Sequence, residues 1–275
     1  GLVNRISVWN WNTLSRKFAR RFSDSITSLS YSEKGTYLIV GTATVDGAVF
    51  IRAANGTIVN KLTDNTGIVS MIQTSATEKT AVMYSPAGNL SYYNLLTGKT
   101  KQRFSVEQGL EQPVMFSNSL FLAGVRDNII YIIHALTGKT IATVKCENPV
   151  LLNEKNPQNL HYLSNDGKGT YVLNMIENVN NNSVSTPKIL KTLKGPRGNA
   201  AIVCGTKNGA EIMLGSKSGA LYHTTAFAAT EALALSAITE NTYDKILDMA
   251  PVGEDFYFLT RNAVFKSSYD TGMVD

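Results

Sequence analysis

Cysteine is nearly absent: Cys146 and Cys204 are the only two in 275 residues. Two such residues without ligand spacing exclude a disulfide framework and a thiolate metal site. Reduced, buried thiols are the expected state, which favours a cytoplasmic setting. Histidine is equally scarce. His134, His161 and His223 lie in strand-like segments without His, Cys or Asp neighbours at ligand spacing, and are read as half-buried structural residues. No apolar run approaches the roughly 20 residues that cross a bilayer, so no membrane association is expected. The first residues, Gly1 to Arg5, lack a basic-then-apolar leader pattern. Charge of one sign is modest too. The net +5 comes from 26 basic against 21 acidic residues, a margin too small to imply nucleic acid.

Catalytic signatures are also missing. No Ser, Cys or Thr sits in a nucleophile-elbow pattern, and no Gly-rich phosphate loop opens a helix. Gly205-Thr206-Lys207-Asn208-Gly209 reads as a hairpin turn in the register of the chain. Amphipathic helices are absent as well; Ala226 to Leu235 is the nearest candidate, as a short helix or an irregular outer strand. With 43% hydrophobic and 17% charged residues, the chain still reads as globular and able to bury a full core.

What the sequence does contain is a repeat. Asn94-Leu95-Leu96-Thr97-Gly98-Lys99-Thr100 returns 40 positions later as His134-Ala135-Leu136-Thr137-Gly138-Lys139-Thr140. Each copy follows an apolar run and precedes a short segment ending in Phe104 or Val144. A fixed turn recurring at that period marks a repeated supersecondary unit. Looser copies run from Trp11 to Phe22 and from Ile51 to Leu62. In this alignment Trp11, Ile51, Tyr93 and Ile133 are equivalent, and units end near residues 22, 62, 104, 144, 193 and 235. Turn pairs such as Asp46-Gly47, Gly88-Asn89, Asp127-Asn128 and Lys168-Gly169 keep the same rhythm, and many hold the Gly or Asn that positive φ demands. Three turns per unit leave room for four short antiparallel strands.

In the best-preserved unit, Ile26 to Tyr31 alternates as a half-buried strand should. Tyr37 to Gly41 is nearly all apolar, as expected of a strand covered on both faces. The unit ending at Leu193 is too long, and its excess falls in the polar tract Glu177 to Ser183, read as a mobile loop that buries no face. Two strands precede Phe22 and three follow Leu235, so the last repeat, 236–275, is incomplete. The expected architecture is a single all-β domain over residues 1–275: a β-propeller of six or seven four-stranded antiparallel blades. Its ring would be closed by the N-terminal strands, so that no sheet edge is left to aggregate.

Ser25 to Gly41 resembles the first two strands and turn of WD-repeat β-propellers, and Ile6-Ser7-Val8-Trp9-Asn10 with Trp11-Asn12 resembles their Trp-Asp close. The Gly-His pair is missing, and Trp-Asp becomes Trp-Asn, Ile-Arg, Tyr-Asn and Ile-His, so the family's hydrogen-bonded network cannot be assembled as written. The Thr-Gly-Lys turns also resemble quinoprotein-type propeller repeats, without the Trp those place after the turn. The resemblance implies a rigid scaffold that presents loops to a protein partner.

Candidate contact residues are basic. Arg16, Lys17, Arg20 and Arg21 form the densest run, with alternation sending Lys17 and Arg21 to one face and Arg16 and Arg20 to the other. A solvated, charge-guarded edge strand is the favoured role. Lys188, Lys191, Lys194 and Arg197 form a second cluster. Trp9 and Trp11 are expected to point together into the space between sheets. Among the predicted inner strands only Asp248 is acidic, and a lone carboxylate supplies no acid–base pair. The reading is therefore a non-catalytic scaffold with no cofactor, no metal and no small-molecule substrate. A cofactor- or metal-dependent propeller enzyme, quinoprotein or lactonase in type, is the alternative, and a nucleic-acid or ribonucleoprotein scaffold the second.

Overall fold

The structure is a computed structural model. It describes residues 4–10, 12–43, 47–62, 67–154, 157–177, 179–180, 183–194, 197, 203–207, 211–215, 221–225, 233–234, 236–239, 246–252, 255–260 and 264–268. Among the described residues every regular element is a strand. β1 (Arg5–Asn10) and β2 (Ser15–Arg21) make a two-stranded sheet. β3 (Ile26–Tyr31), β4 (Tyr37–Thr42), β5 (Ala48–Arg52) and β6 (Ile58–Leu62) follow as a four-stranded sheet in chain order. So do β7 (Met71–Thr74), β8 (Thr80–Ser85), β9 (Asn89–Asn94) and β10 (Thr100–Ser105), and then β11 (Glu111–Phe116), β12 (Phe121–Arg126), β13 (Ile129–His134) and β14 (Thr140–Lys145).

The fourth full sheet holds β15 (Val150–Leu151), β16 (Leu160–Asn165), β17 (Thr170–Ile176) and β18 (Lys188–Lys194). β22 (Leu233–Ala234) adds to β18 in parallel. The fifth holds β19 (Val203–Lys207), β20 (Glu211–Gly215), β21 (Leu221–Thr225) and β23 (Ser236–Thr239). β24 (Asp248–Val252), β25 (Asp255–Leu259) and β26 (Val264–Ser268) make a three-stranded sheet. Among the described residues five sheets are therefore complete, against the six or seven blades expected. Among the described pairings β1–β2 and β24–β26 are separate sheets, so the closing pairing is not among them.

The chain forms two compact units, Gly1–Pro113 with Ile133–Thr140, and Val114–Ile132 with Ile141–Asp275. In the first, each sheet buries one face on the next. Ile6, Val8 and Phe18 pack on Leu38, Val40, Val49 and Ile51. Ile39, Phe50 and Leu62 pack on Val69, Ile72, Met83 and Tyr93. The second unit repeats the scheme, for example with Leu163, Tyr171 and Leu173 against Ile212 and Leu214, and Met213 and Leu221 against Met249, Phe256 and Phe258. The second strand of a sheet is thus covered on both sides, and β4 and β8 are buried from their second residue onward. Turn chemistry matches the expectation where it is described: Asp127 and Asn128 take φ of 52° and 61° and join β12 to β13.

Three readings change. Strand register makes Trp9 and Asn10, not Trp11 and Asn12, the counterparts of Ile51 and Arg52. Trp9 pairs with Arg16 just after a bulge, as Ile51 pairs with Ile58 just after the same bulge. Trp9 is exposed rather than buried between sheets, and Trp11 lies outside the described residues. Of the two readings left open for Ala226 to Leu235, Leu233 and Ala234 are strand, while 226–232 lie outside the described residues.

Third, the segment after β17 does bury a face. Val179 and Val184 pack against the cluster of Phe116, Ile130, Leu160 and Ile176. Ser185 Oγ donates to the Glu177 carbonyl, and Asn180 Oδ1 accepts from the Ser183 N–H at 3.0 Å. The polar residues hid two valines at the spacing of a closed turn. Val179→Asp is expected to lower stability by about 1–2 kcal/mol through lost burial and a desolvated carboxylate. A urea midpoint equal to that of the parent protein would instead make the segment dispensable.

Candidate interaction surface

The repeated turn is built from inside outwards. Asn94 N–H donates to the Lys99 carbonyl at 2.9 Å and Gly98 N–H to the Asn94 carbonyl at 2.8 Å. The Asn94 side chain accepts from the N–H groups of Leu96 and Thr97 at 3.0 and 3.2 Å. The next copy closes identically on its backbone, with His134 N–H to Lys139 O and Gly138 N–H to His134 O, both 2.8 Å. Leu95 and Ala135 at the second position are fully buried.

Each turn is pressed onto the outer strand of the sheet before it. Asn60 on β6 donates Nδ2 to the carbonyls of Leu95 and Leu96, at 3.1 and 2.9 Å. A Cβ on Gly98 would lie 3.0 Å from Lys61 O, and one on Gly138 would lie 2.6 Å from Phe104 Cβ on β10. Both glycines have φ near 70°, so the position demands a left-handed backbone and no side chain at once. In the first copy Leu14 stands there instead, with φ 50°.

Packing therefore accounts for four features of the motif: the capping Asn, the buried second residue, the Gly and the Thr whose hydroxyl accepts the lysine N–H two residues on. It does not account for Leu96, Leu136, Lys99 and Lys139, all exposed. Equivalent turn tips on consecutive sheets thus show the same apolar-plus-cationic pair.

The basic residues foreseen in the sequence are placed unevenly. Arg16, Lys17 and Arg21 are exposed on β2, while Arg20 is drawn half under beside Phe18. The bulge opposite Val8 and Trp9 inserts Lys17 and breaks the simple alternation. On β18 Lys188 and Lys194 are exposed, as is Arg197 beyond it. Lys191 is buried, its ammonium pushed below the usual lysine range by desolvation, and it does not belong to an exposed cluster.

His161 has a partner the sequence reading missed. Its Nδ1 lies 2.8 Å from Glu154 Oε2, both side chains being largely buried. The pairing follows from antiparallel register: Leu152 N–H bonds His161 O, so the residues just beyond Leu152 lie alongside β16. His134 is buried at the head of its turn, and the side chain of His223 is outside the described residues. Asp248 lines an open cleft of about 150 Å³ with Met249, Ala250, Tyr257, Phe258, Leu259 and Val264. Although the residue is exposed overall, these apolar walls desolvate its carboxyl and raise its pKa. Its Oδ1 accepts from the Met249 N–H. Among the described residues no three His, Cys, Asp or Glu side chains converge as a metal site.

Residues 2–232 match the TP_0598_N family, an N-terminal beta-propeller domain. The chain belongs to this family. Its complete sheets are therefore propeller blades, each built on four antiparallel strands. An uncharacterized protein of Treponema pallidum (strain Nichols) is 33% identical over 138 residues, which are 50% of this chain and 22% of that relative. The match thus spans about a fifth of the relative's length. Among solved structures, a chain of the mitotic checkpoint complex superposes with a TM-score of 0.69 at 14% identity, covering 96% of this chain and 83% of that one. The β-propeller domain of Myceliophteria thermophila Cps50 (Swd1) gives 0.66 at 14% identity, covering 92% and 86%. At such identity the likeness shows the fold alone.

Proposed function

We propose that this propeller is a non-catalytic scaffold that holds a protein partner on its turn tips. The observation that carries this is the exposed Leu96–Lys99 and Leu136–Lys139 pairs, repeated on neighbouring blades and not needed for packing. Isolated exposed leucines are ordinary, but two at one structural position, each beside a lysine, make a repeated contact surface. Apolar side chains supply contact energy at an interface and flanking cations set register and approach. The membership of one structural neighbour in a mitotic checkpoint complex supports the same reading.

The test is crosslinking and capture from the native source with the parent protein and a Leu96→Ser/Leu136→Ser double variant. A partner is expected to be captured by the parent and lost at least about tenfold in the variant, whose thermal midpoint stays unchanged. Equal capture by both would remove this surface from the function. A chain recovered only as a free monomer would count against a scaffold altogether.

A further inference from the structure

On β7, Ile72 and Thr74 face the preceding blade and are 7% and 4% exposed. Their counterparts on β3 are Leu29 and Tyr31. Leu29 pairs with Val40 and Tyr31 with Leu38 on β4, as Ile72 pairs with Met83 and Thr74 with Ala81 on β8. The register is anchored by matching turns, in which Ser32 Oγ accepts the Tyr37 N–H and Ser75 Oγ the Thr80 N–H. Yet Leu29 and Tyr31 are each 53% exposed.

The difference lies in what stands before each strand. Ile72 is covered by Ile39 and Phe50 of the preceding blade. Thr74 Oγ1 accepts the Glu33 N–H at 2.9 Å, and Glu78 Oε1 accepts the Lys34 N–H at 2.9 Å. Desolvation would raise the Glu78 carboxyl, but hydrogen bonds from Ser32, Lys34 and Thr36 outweigh it and hold it below the usual range. The cover on β7 is thus the turn of the β3–β4 hairpin together with residues of β4 and β5. Among the described residues the sheet before β3 has β1 and β2 alone, which match β5 and β6 in register. No strand pair among the described residues there corresponds to a first hairpin, and among the described pairings β1 bonds only to β2.

We propose that the edge of β1 left unpaired among the described pairings and the exposed face of β3 are a docking site for one antiparallel β-hairpin. The donor is further polypeptide of the same protein, outside these 275 residues. The source rests on the family being an N-terminal domain and on the match covering 22% of the relative's length. The occupant's chemistry is set by the β3–β4 template. Its second strand hydrogen-bonds along β1 and lays an apolar side chain on Leu29, and its turn lies over the ring of Tyr31.

The test is maleimide labelling in a Cys146→Ala/Cys204→Ala background carrying Leu29→Cys, Tyr31→Cys or, as the covered control, Ile72→Cys. In the 275-residue chain the first two are expected to label rapidly and the control slowly. In the polypeptide encoded by the whole gene, Leu29→Cys and Tyr31→Cys are expected to slow by at least about tenfold, with the control unchanged. Equal rates in both proteins, or a gene that encodes no further residues, would overturn the proposal. So would protection already present in the 275-residue chain; sedimentation velocity showing a dimer would then assign the site to a second copy.

Discussion

Gly138→Val is expected to lower the unfolding free energy by about 3–4 kcal/mol and the thermal midpoint by about 10 °C. Two costs add. A β-branched residue at φ 70° is strained by itself, and its Cβ would stand 2.6 Å from Phe104 Cβ, an atom that cannot swing aside without moving β10. Gly35→Ala separates the terms. Its φ is 72°, but nothing lies within 4 Å of the added carbon, so only the conformational cost of about 1 kcal/mol applies. Urea unfolding of the two variants beside the parent checks this. Equal losses would mean that the turn is not seated on the preceding blade as described.

Raising the pH from about 9 to about 12 should unfold the protein steeply. Burial pushes the phenols of Tyr162 and Tyr171 up to about 12, and the Cys146 thiol up to about 11. Charges near the two phenols, on Cys146 for Tyr162 and on Tyr222 and Asp166 for Tyr171, add to this. A folded pKa above the unfolded one means that the native state holds its proton longer. Stability is then full below the unfolded value near 10 and falls as pH rises through the folded value. After allowance for solvent reaching the hydroxyls, each of the two tyrosines contributes about 1–2 kcal/mol to that fall. Urea midpoints at a series of pH values measure it, and a Tyr162→Phe/Tyr171→Phe variant should show a visibly flatter curve. If the curve of that variant overlays the parent's, these phenols are not responsible.

Much of this fold could be read from the repeated heptapeptide. Its spacing located β9, β10, β13 and β14 because a turn closed by backbone hydrogen bonds has only one workable arrangement of Gly and capping residue. The doubly covered strand β4 was legible for a similar reason, since an unbroken apolar run of strand length has to be buried twice. Trp9 was misplaced by two residues because the first copy has Leu14 where the others have Gly, and an alignment led by Gly slips there. Val179 and Val184 were lost among asparagines, as composition averages over a segment whose fate is set by two side chains. The site was less legible. The exposed leucines of the motif look the same in sequence as its buried ones, and only the packing of Leu95 into the core, with Leu96 left outside it, tells the two apart. The Glu154–His161 pair depends on hairpin register, which local spacing does not encode.

The seating of each repeated turn on the strand behind it has a consequence for synthesis. Phe18, Asn60 and Phe104 all precede in sequence the glycines that rest against them. A nascent chain leaving the ribosome therefore presents every foothold before the element that needs it, and these sheets can add one at a time without waiting for distant sequence.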